Sequence, residues 1–344
     1  MAAPIRINDH YTLKGLTIRP LTWDDIPALD VFIKDVLEAE TGKRPPDIDD
    51  LIHDYQLEKF SLESNTRIVA DADGNMLGLA EVWDLHEVPV RPQIWARTHP
   101  EHLGQGIGTV LMDWAVSRTR EVFPRVPADA RVTANTSHYS TWEASRPLLE
   151  SIGFKPYRHA FQMLIEMDEL PPEPVWPESI TLKTYSQIQD PRKVYAAITD
   201  AFKDHFGYIP MDFEKGLAQF IHRDLEDKAF DADLWFLAVD GDEIAGINLG
   251  RKWSWEDKEN GYISVLGVRR PWRKRGLGLA LLRHSFREYY NRGYRKVDLH
   301  VDGESLTGAV RLYEKAGMRV FRRIDQYELE LRPGKILATT NAEG

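Results

Sequence analysis

The chain of 344 residues contains no cysteine. That excludes disulfides, thiolate zinc sites and cysteine nucleophiles together, and it suits a reducing, cytoplasmic setting. No apolar run approaches the roughly 18 residues that a membrane-spanning helix needs. The opening Met1-Ala-Ala-Pro-Ile-Arg-Ile-Asn lacks the apolar centre of a signal peptide, so no membrane partner is expected. Positive charge is also scarce: the formal net charge is −10 at pH 7. Such an acidic balance argues against nucleic acid as the main partner. At on the order of 100–200 residues per domain, the length predicts two domains, each with its own core.

Against that acidic background one stretch is strongly basic, Val268-Arg-Arg-Pro-Trp-Arg-Lys-Arg-Gly-Leu-Gly-Leu-Ala-Leu-Leu282. The β-branched and aromatic run Gly261–Val268 before it reads as a buried strand. Pro271 interrupts regular structure, and Arg273, Gly276 and Gly278 follow as R-x-x-G-x-G. From Gly276 a helix is expected, with Leu279, Leu282, Phe286 and Tyr289 on one face. A strand, a glycine-rich basic turn and a helix N-terminus make an anion pocket. First-turn amides lack intrahelical acceptors, the helix dipole is positive there, and glycines let a ligand approach the backbone. Arg269, Arg270, Arg273, Lys274 and Arg275 add charge suited to phosphates. The pattern is neither a dinucleotide G-x-G-x-x-G nor a G-x-x-x-x-G-K-[ST] loop.

Read in order, residues 1–14 form a loosely held tail, Leu16–Pro20 a strand and Thr22 the cap of a helix to about Glu38. Arg67–Asp71 and Met76–Leu85 form a hairpin across Gly74-Asn75. The strand Gln93–Thr98 precedes Gly104-Gln-Gly-Ile-Gly108, which opens a helix. A strand at Arg131–Ala134, a helix ending at Ile152-Gly153 and a strand at Phe161–Glu166 complete the first half. Residues 169–178, rich in proline, mark the domain boundary. The order then restarts. Strand Ile180–Thr184, helices Pro191–Phe202 and Met211–Leu225, and a hairpin over Leu234–Leu249 lead to the Gly261–Val268 strand. Strand Lys296–Asp302, helix Leu306–Ala316 and strand Gln326–Leu331 follow, and the end of the chain from Arg332 is expected to fray.

The halves repeat. Thr17-Ile-Arg-Pro answers Thr181-Leu-Lys-Thr, Gly106-Ile-Gly answers Gly276-Leu-Gly, and Ile152-Gly-Phe answers Ala316-Gly-Met. The spacing between matched points is nearly constant, so the chain is two copies of one αβ fold, not a solenoid.

The second half carries a strand Tyr262–Val268, the R-x-x-G-x-G turn, a strand Lys296–Asp302 and Ala309-Val-Arg-Leu-Tyr-Glu-Lys-Ala-Gly-Met318. In these residues it resembles the Gcn-type N-acetyltransferase (GNAT) superfamily, whose signature includes A-x-x-L-Y-E-K-x-G-F. The likeness spans nearly the whole chain, and the tandem arrangement is similar to that of the mycothiol synthase group. It implies a mixed-sheet α/β fold in two tandem acyltransferase domains. Their expected bounds are 11–168 for the first and 179–332 for the second, with 169–178 as linker and 333–344 as tail.

The resemblance implies acetyl-CoA as cofactor and transfer of its acetyl group to a small primary amine. In such folds the pantetheine arm lies along the strand of Leu266, Gly267 and Val268. The pyrophosphate sits on the amides of Arg273, Lys274, Arg275, Gly276, Leu277, Gly278 and Leu279. Tyr313 takes the place of the family's acid, and a phenol suits a thiolate leaving group. The general base stays open: Glu256, Asp257 and Glu259 precede one strand, and His300 lies on the next. His205 and Tyr208 stand where such folds shape the acceptor pocket. Ser305 stands nearest the asparagine that often precedes the A-x-x-L-Y signature, which is absent here. Trp253, Trp255 and Trp272 suggest an aromatic-lined cleft.

The first half keeps glycines but not chemistry. Leu103 stands where Arg273 does, Gln105 where Arg275 does, and Leu149 where Tyr313 does. It reads as degenerate, with Gly104, Gln105, Gly106 and Gly108 able to hold a second coenzyme. His99-Pro-Glu-His102 does not have the spacing of a metal site. Acetylation of an antibiotic or a peptide N-terminus, a longer acyl chain and a non-catalytic acyl-CoA sensor are the competing readings, and the chain is read as a monomer or homodimer.

Overall fold

The computed structural model describes Leu13, Gly15–Ser305 and Gly308–Thr340; the expected N-terminal tail lies almost wholly outside the described residues. The chain forms two compact units. One holds the described residues up to Arg158 together with Ile324–Leu337, and the other holds His159–Arg323 with the residues from Ala338.

In the first unit, β1 (Thr17–Arg19), β2 (Thr66–Ala70), β3 (Met76–Trp83) and β4 (Gln93–Thr98) pair antiparallel in that order. β5 (Val132–Tyr139) pairs parallel to β4 only at Gln93–Asn135 and Ile94–Thr136. Helix Ile107–Thr119 buries Ile107, Leu111, Met112 and Ala115 against Val69, Ala80 and Ile94. Helix Ile26–Thr41 presents Leu29, Phe32, Ile33 and Val36 as its buried stripe, at three- and four-residue steps.

The second unit repeats this plan. β6 (Lys155–Glu166) leaves the first half but runs antiparallel to β11 (Lys296–Asp302), from Ala160 opposite Asp302 to Glu166 opposite Lys296. β7 (Ile180–Thr184), β8 (Phe230–Asp240), β9 (Glu243–Arg251) and β10 (Gly261–Val268) pair antiparallel in order. β10 pairs parallel to β11 only at Gly261–Val297 and Tyr262–Asp298. Helix Pro191–Phe202 starts as its sequence dictates, with the Asp190 carboxylate accepting from the Lys193 amide at 3.0 Å and proline at the first position. The next helix covers Phe213–Phe220 and passes into a π-turn at Ile221–Leu225. Helix Leu277–Asn291 buries Leu281, Leu282, Phe286 and Tyr289 against Phe236, Ile263 and Val297.

The sixth strand of the first unit is β12 (Arg319–Arg332), whose later part pairs antiparallel with β5, Tyr327 opposite Thr136. The closing strands of the two halves are therefore exchanged. The bounds expected from the sequence gave each half its own last strand. β6 and β12 both follow a short helix and a left-handed glycine, Gly153 at φ 101° and Gly317 at φ 103°. Both offer an alternating apolar face, so pattern alone does not choose which β5-type edge each one joins.

Two connections differ from expectation. The segment 169–178, read from the sequence as the linker between domains, lies within the second unit, where Trp176 packs on the core and Arg287 donates to the Pro171 carbonyl at 2.7 Å. The end of the chain does not fray up to Thr340. The Lys335 amide donates to Asp129 O at 2.7 Å in the first unit. In the second, Thr339 N donates to Tyr208 O at 2.9 Å and accepts, through its carbonyl, from the Gly207 amide at 2.8 Å.

Candidate active site

Beyond Tyr262 and Asp298, β10 and β11 part. The edge of β10 over Leu266–Val268 is left without a neighbouring strand on that side, while β9 still pairs with its other edge. A cleft of about 760 Å³ opens there, within the range of ligand sites. One end is the turn before helix Leu277–Asn291. Lys274 at φ 62° and Gly276 at φ 84° both adopt the left-handed region, and the helix begins directly after them at Leu277. For Lys274, unlike Gly276, that conformation carries a steric cost.

Many of the residues singled out by sequence line this cleft. Leu266, Gly267 and Val268 form its strand edge. Arg273, Lys274, Gly276, Leu277, Gly278 and Leu279 form the turn, and His205, His300, Ser305 and Tyr313 complete the set. Leu279, expected on the core face of its helix, instead looks onto the cleft and is half-buried. Arg275, Tyr208 and Glu256 are not among the lining residues, nor are Trp253 and Trp255; Trp272 is.

The basic turn is electrically quieter than its sequence. Arg269 donates to Asp200 at 2.7 Å and to Glu243 at 2.8 Å. Arg270 forks onto Asp204, with Nε at 2.7 Å and a second, shorter bond. Arg273, expected as a phosphate ligand, gives its guanidinium to Asp204 at 2.7 Å, Val268 O at 2.9 Å and Ala201 O at 2.9 Å. These carboxylates neutralise three of the five cations, so the arginines hold the turn's shape and anion attraction falls to the backbone amides with Lys274 and Arg275. Asp204, with its side chain only 3% exposed, is a residue that sequence reasoning missed. Paired with Arg270 and Arg273, its carboxyl is held down at about 2. An acid in a helix-to-loop turn carries no signal of its distant partners.

Tyr313, on helix Ala309–Lys315, is 7% exposed, and burial pushes its phenol up to about 12. The group therefore keeps its proton at neutral pH. His300 Nδ1 lies 3.2 Å from the Tyr262 hydroxyl, and burial lowers the imidazole below its usual 6.5, so it is neutral at pH 7. Burial also raises the Tyr262 phenol, a partner not foreseen. His205, packed at a tilt against Phe202 with ring centroids 4.3 Å apart, is held neutral chiefly by burial and next by Arg273. Glu256 does not line the cleft, although its charge reaches His300 and Tyr262; it is buried and bound to Arg322, which also donates to Gln162 Oε1 at 3.1 Å. That pairing occupies the carboxylate in structure.

The first unit has a smaller counterpart of about 420 Å³. It lies where β4 and β5 part, before helix Ile107–Thr119, with Gly104 at φ 76° and Gly106 at φ 85°. Gly104, Gly106, Gly108 and Leu103 line it, and Gln105 does not. Leu149 lines it where the second cleft has Tyr313. The strands also differ. β10 carries a bulge, Ser264 being the extra residue against β9, whereas β4 runs along β3 without a register shift. Bulges re-aim a strand edge and are common beside active sites.

Against known proteins, the Acetyltransferase (GNAT) family model matches residues 32–142 and 195–318. A mycothiol acetyltransferase of Streptomyces bingchenggensis (strain BCW-1) is 30% identical over 271 residues, covering 76% of this chain and 80% of the relative. Another, of Streptomyces scabiei (strain 87.22), is 28% identical over 280 residues, covering 80% and 83%. The crystal structure of a GCN5-related N-acetyltransferase from Sphaerobacter thermophilus shares 35% identity at a TM-score of 0.77, over 95% of this chain and 99% of that one. A tandem GNAT protein from the clavulanic acid biosynthesis pathway, 16% identical with a TM-score of 0.63, covering 93% of this chain and 100% of that one, shares the fold. With both halves matched and a relative of that identity over most of its length, the chain belongs to the GNAT family of acetyltransferases, as a tandem pair of family domains.

Proposed function

We propose that the chain transfers the acetyl group of acetyl-CoA to the primary amine of a small acceptor, in the cleft of the second unit. The reading is carried by one juxtaposition: a buried, protonated tyrosine in the same cleft as an unpaired strand edge and a left-handed turn at a helix N-terminus. The edge of Leu266–Val268 would hold a pantetheine arm as an added strand, and the amides of the turn through Leu279 would hold its pyrophosphate. When bound, acetyl-CoA supplies an activated acyl group with a thiolate leaving group.

His300 takes the proton of the incoming amine, directly or through water, because burial keeps its imidazole unprotonated. Tyr313 donates its hydrogen where negative charge develops on sulfur, and its raised pKa ensures that the hydrogen is present. An amide near Leu266, on the bulged strand, would polarise the thioester carbonyl of a bound acetyl-CoA. The first unit has Leu149 in place of the phenol and an unbulged strand, and it serves as a second, non-catalytic coenzyme site on Gly104, Gly106 and Gly108.

A panel of small amines assayed by release of free thiol tests the reading, with wild type and Tyr313→Phe run together. The relatives' name gives a mycothiol-type acceptor a place on that panel. Turnover of any panel amine by wild type, lost in the variant, supports it. Tight coenzyme binding without thiol release for every amine overturns it.

A further inference from the structure

The cleft has two walls that meet at a single buried carboxylate. One wall is the turn Arg270–Gly276, which leads into the helix N-terminus. The other is the end of helix Pro191–Phe202 with the loop 203–210, from which His205 and Phe206 reach the same cleft. Asp204 stands in that loop, and both of its oxygens are taken by cations of the turn: Arg270 twice and Arg273 once. Arg273 adds a third link, to the carbonyl of Ala201 at the end of the helix. One residue turn earlier, Asp200 binds Arg269. Strand β10 also packs tightly on the end of that helix. A Cβ on Gly267 would come within 2.9 Å of Phe202 and 3.0 Å of the Ala201 side chain. Displacement of the turn must therefore move the loop, because the charge-assisted bonds to Asp204 join them.

We propose that Asp204 is a positioning residue that couples the coenzyme turn to loop 203–210, so that a coenzyme on the turn orders the wall carrying His205 before an acceptor enters. The inference deepens the reading of this cleft as the coenzyme site and rests on it. Neutralising the carboxylate removes the charge that Arg270 and Arg273 share and weakens the tie of the loop to the turn, while Arg273 still holds Ala201 O and Arg269 still holds Asp200 at the helix end.

The test is hydrogen exchange of the full chain, reading loop 203–210 with and without coenzyme A, alongside coenzyme affinity by calorimetry. In wild type, coenzyme A slows exchange of the loop by about ten-fold, a coupling in the usual range. In Asp204→Asn the coenzyme still binds, and the slowing falls below about two-fold. Arg270→Gln leaves no uncompensated buried charge, provides the second variant where Asp204→Asn folds poorly, and gives an intermediate effect. The ratio with and without ligand is taken within each variant, so general loss of stability does not mimic the result. Binding of coenzyme A to wild type with no change in loop exchange overturns the coupling alone, as does equal slowing in both variants. Failure of coenzyme A to bind wild type overturns the reading of the cleft, and the coupling with it.

Discussion

Replacing Tyr313 by phenylalanine removes one oxygen and keeps the ring, which separates chemistry from packing. The side chain belongs to the second core, with Met163, Leu299 and Met318 in the same cluster. A ring that stays in place creates no cavity, so the stability change is expected within about 1 kcal/mol. For domains of this size that shifts Tm by no more than about 4 °C. Coenzyme affinity should also hold, since the strand edge and the turn are untouched. Turnover is another matter. A positioned general acid contributes about 10²–10⁴ in rate, so the barrier rises by about 3–5 kcal/mol at about 1.4 kcal/mol per decade. The assay is thiol release from acetyl-CoA at saturating amine, with melting and calorimetry as controls. A variant that turns over within about two-fold of wild type, with all else unchanged, would show that water or another group protonates the sulfur, and the assignment would fall.

Three further outcomes follow from the geometry. Gly276→Ala and Gly106→Ala each place a side chain at φ near 84° with no steric clash near either position under 3.4 Å, so each should cost about 1–2 kcal/mol by backbone strain. Only the Gly276 variant should also lose turnover; equal loss in both would refute the division of labour between the units. Glu256→Gln removes the carboxylate from its ion pair with the half-buried Arg322, which should cost about 1–3 kcal/mol in melting stability while the folded fraction keeps its kcat; a collapse of kcat with Tm intact would restore Glu256 as the base. His300 titrates below the ordinary imidazole value of 6.5 because burial disfavours its charged form. Between its folded pKa and 6.5 the unfolded chain binds more protons, so stability is full above that window and declines as pH falls through it. The kcat/KM profile should show an acid limb in the same window, and a profile that keeps this limb unchanged in His300→Gln would exclude the imidazole.

Much of the site was legible because the relevant signals are local. Gly276, Gly278 and the run before them specify a strand, a left-handed turn and a helix start within about twenty residues, and those are features of backbone sterics. Tyr313 was found through a contiguous signature. Arg273 shows the limit. Its type and position suit a phosphate, yet its three hydrogen bonds go to Asp204, Val268 O and Ala201 O, and the first of these partners lies 69 residues away. Glu256 fails as a cleft residue for the same reason, its partner Arg322 being 66 residues distant. Tyr262 was visible as a strand residue but not as the neighbour of His300, because β11 supplies that contact.

By itself the sequence determined the two-copy plan, the order of strands and helices within each copy, the loss of the phenol from the first, and the glycine turn before a helix in both. Each of these rests on periodicity, on turn chemistry or on residue identity at matched positions. Only the tertiary structure decided that β6 pairs with β11 and β12 with β5, that Asp204 takes two arginines from the turn, and that Glu256 pairs with Arg322. Strand edges with like patterns are interchangeable until register and connection select one. A charge in sequence has no partner until folding places one within a few ångströms.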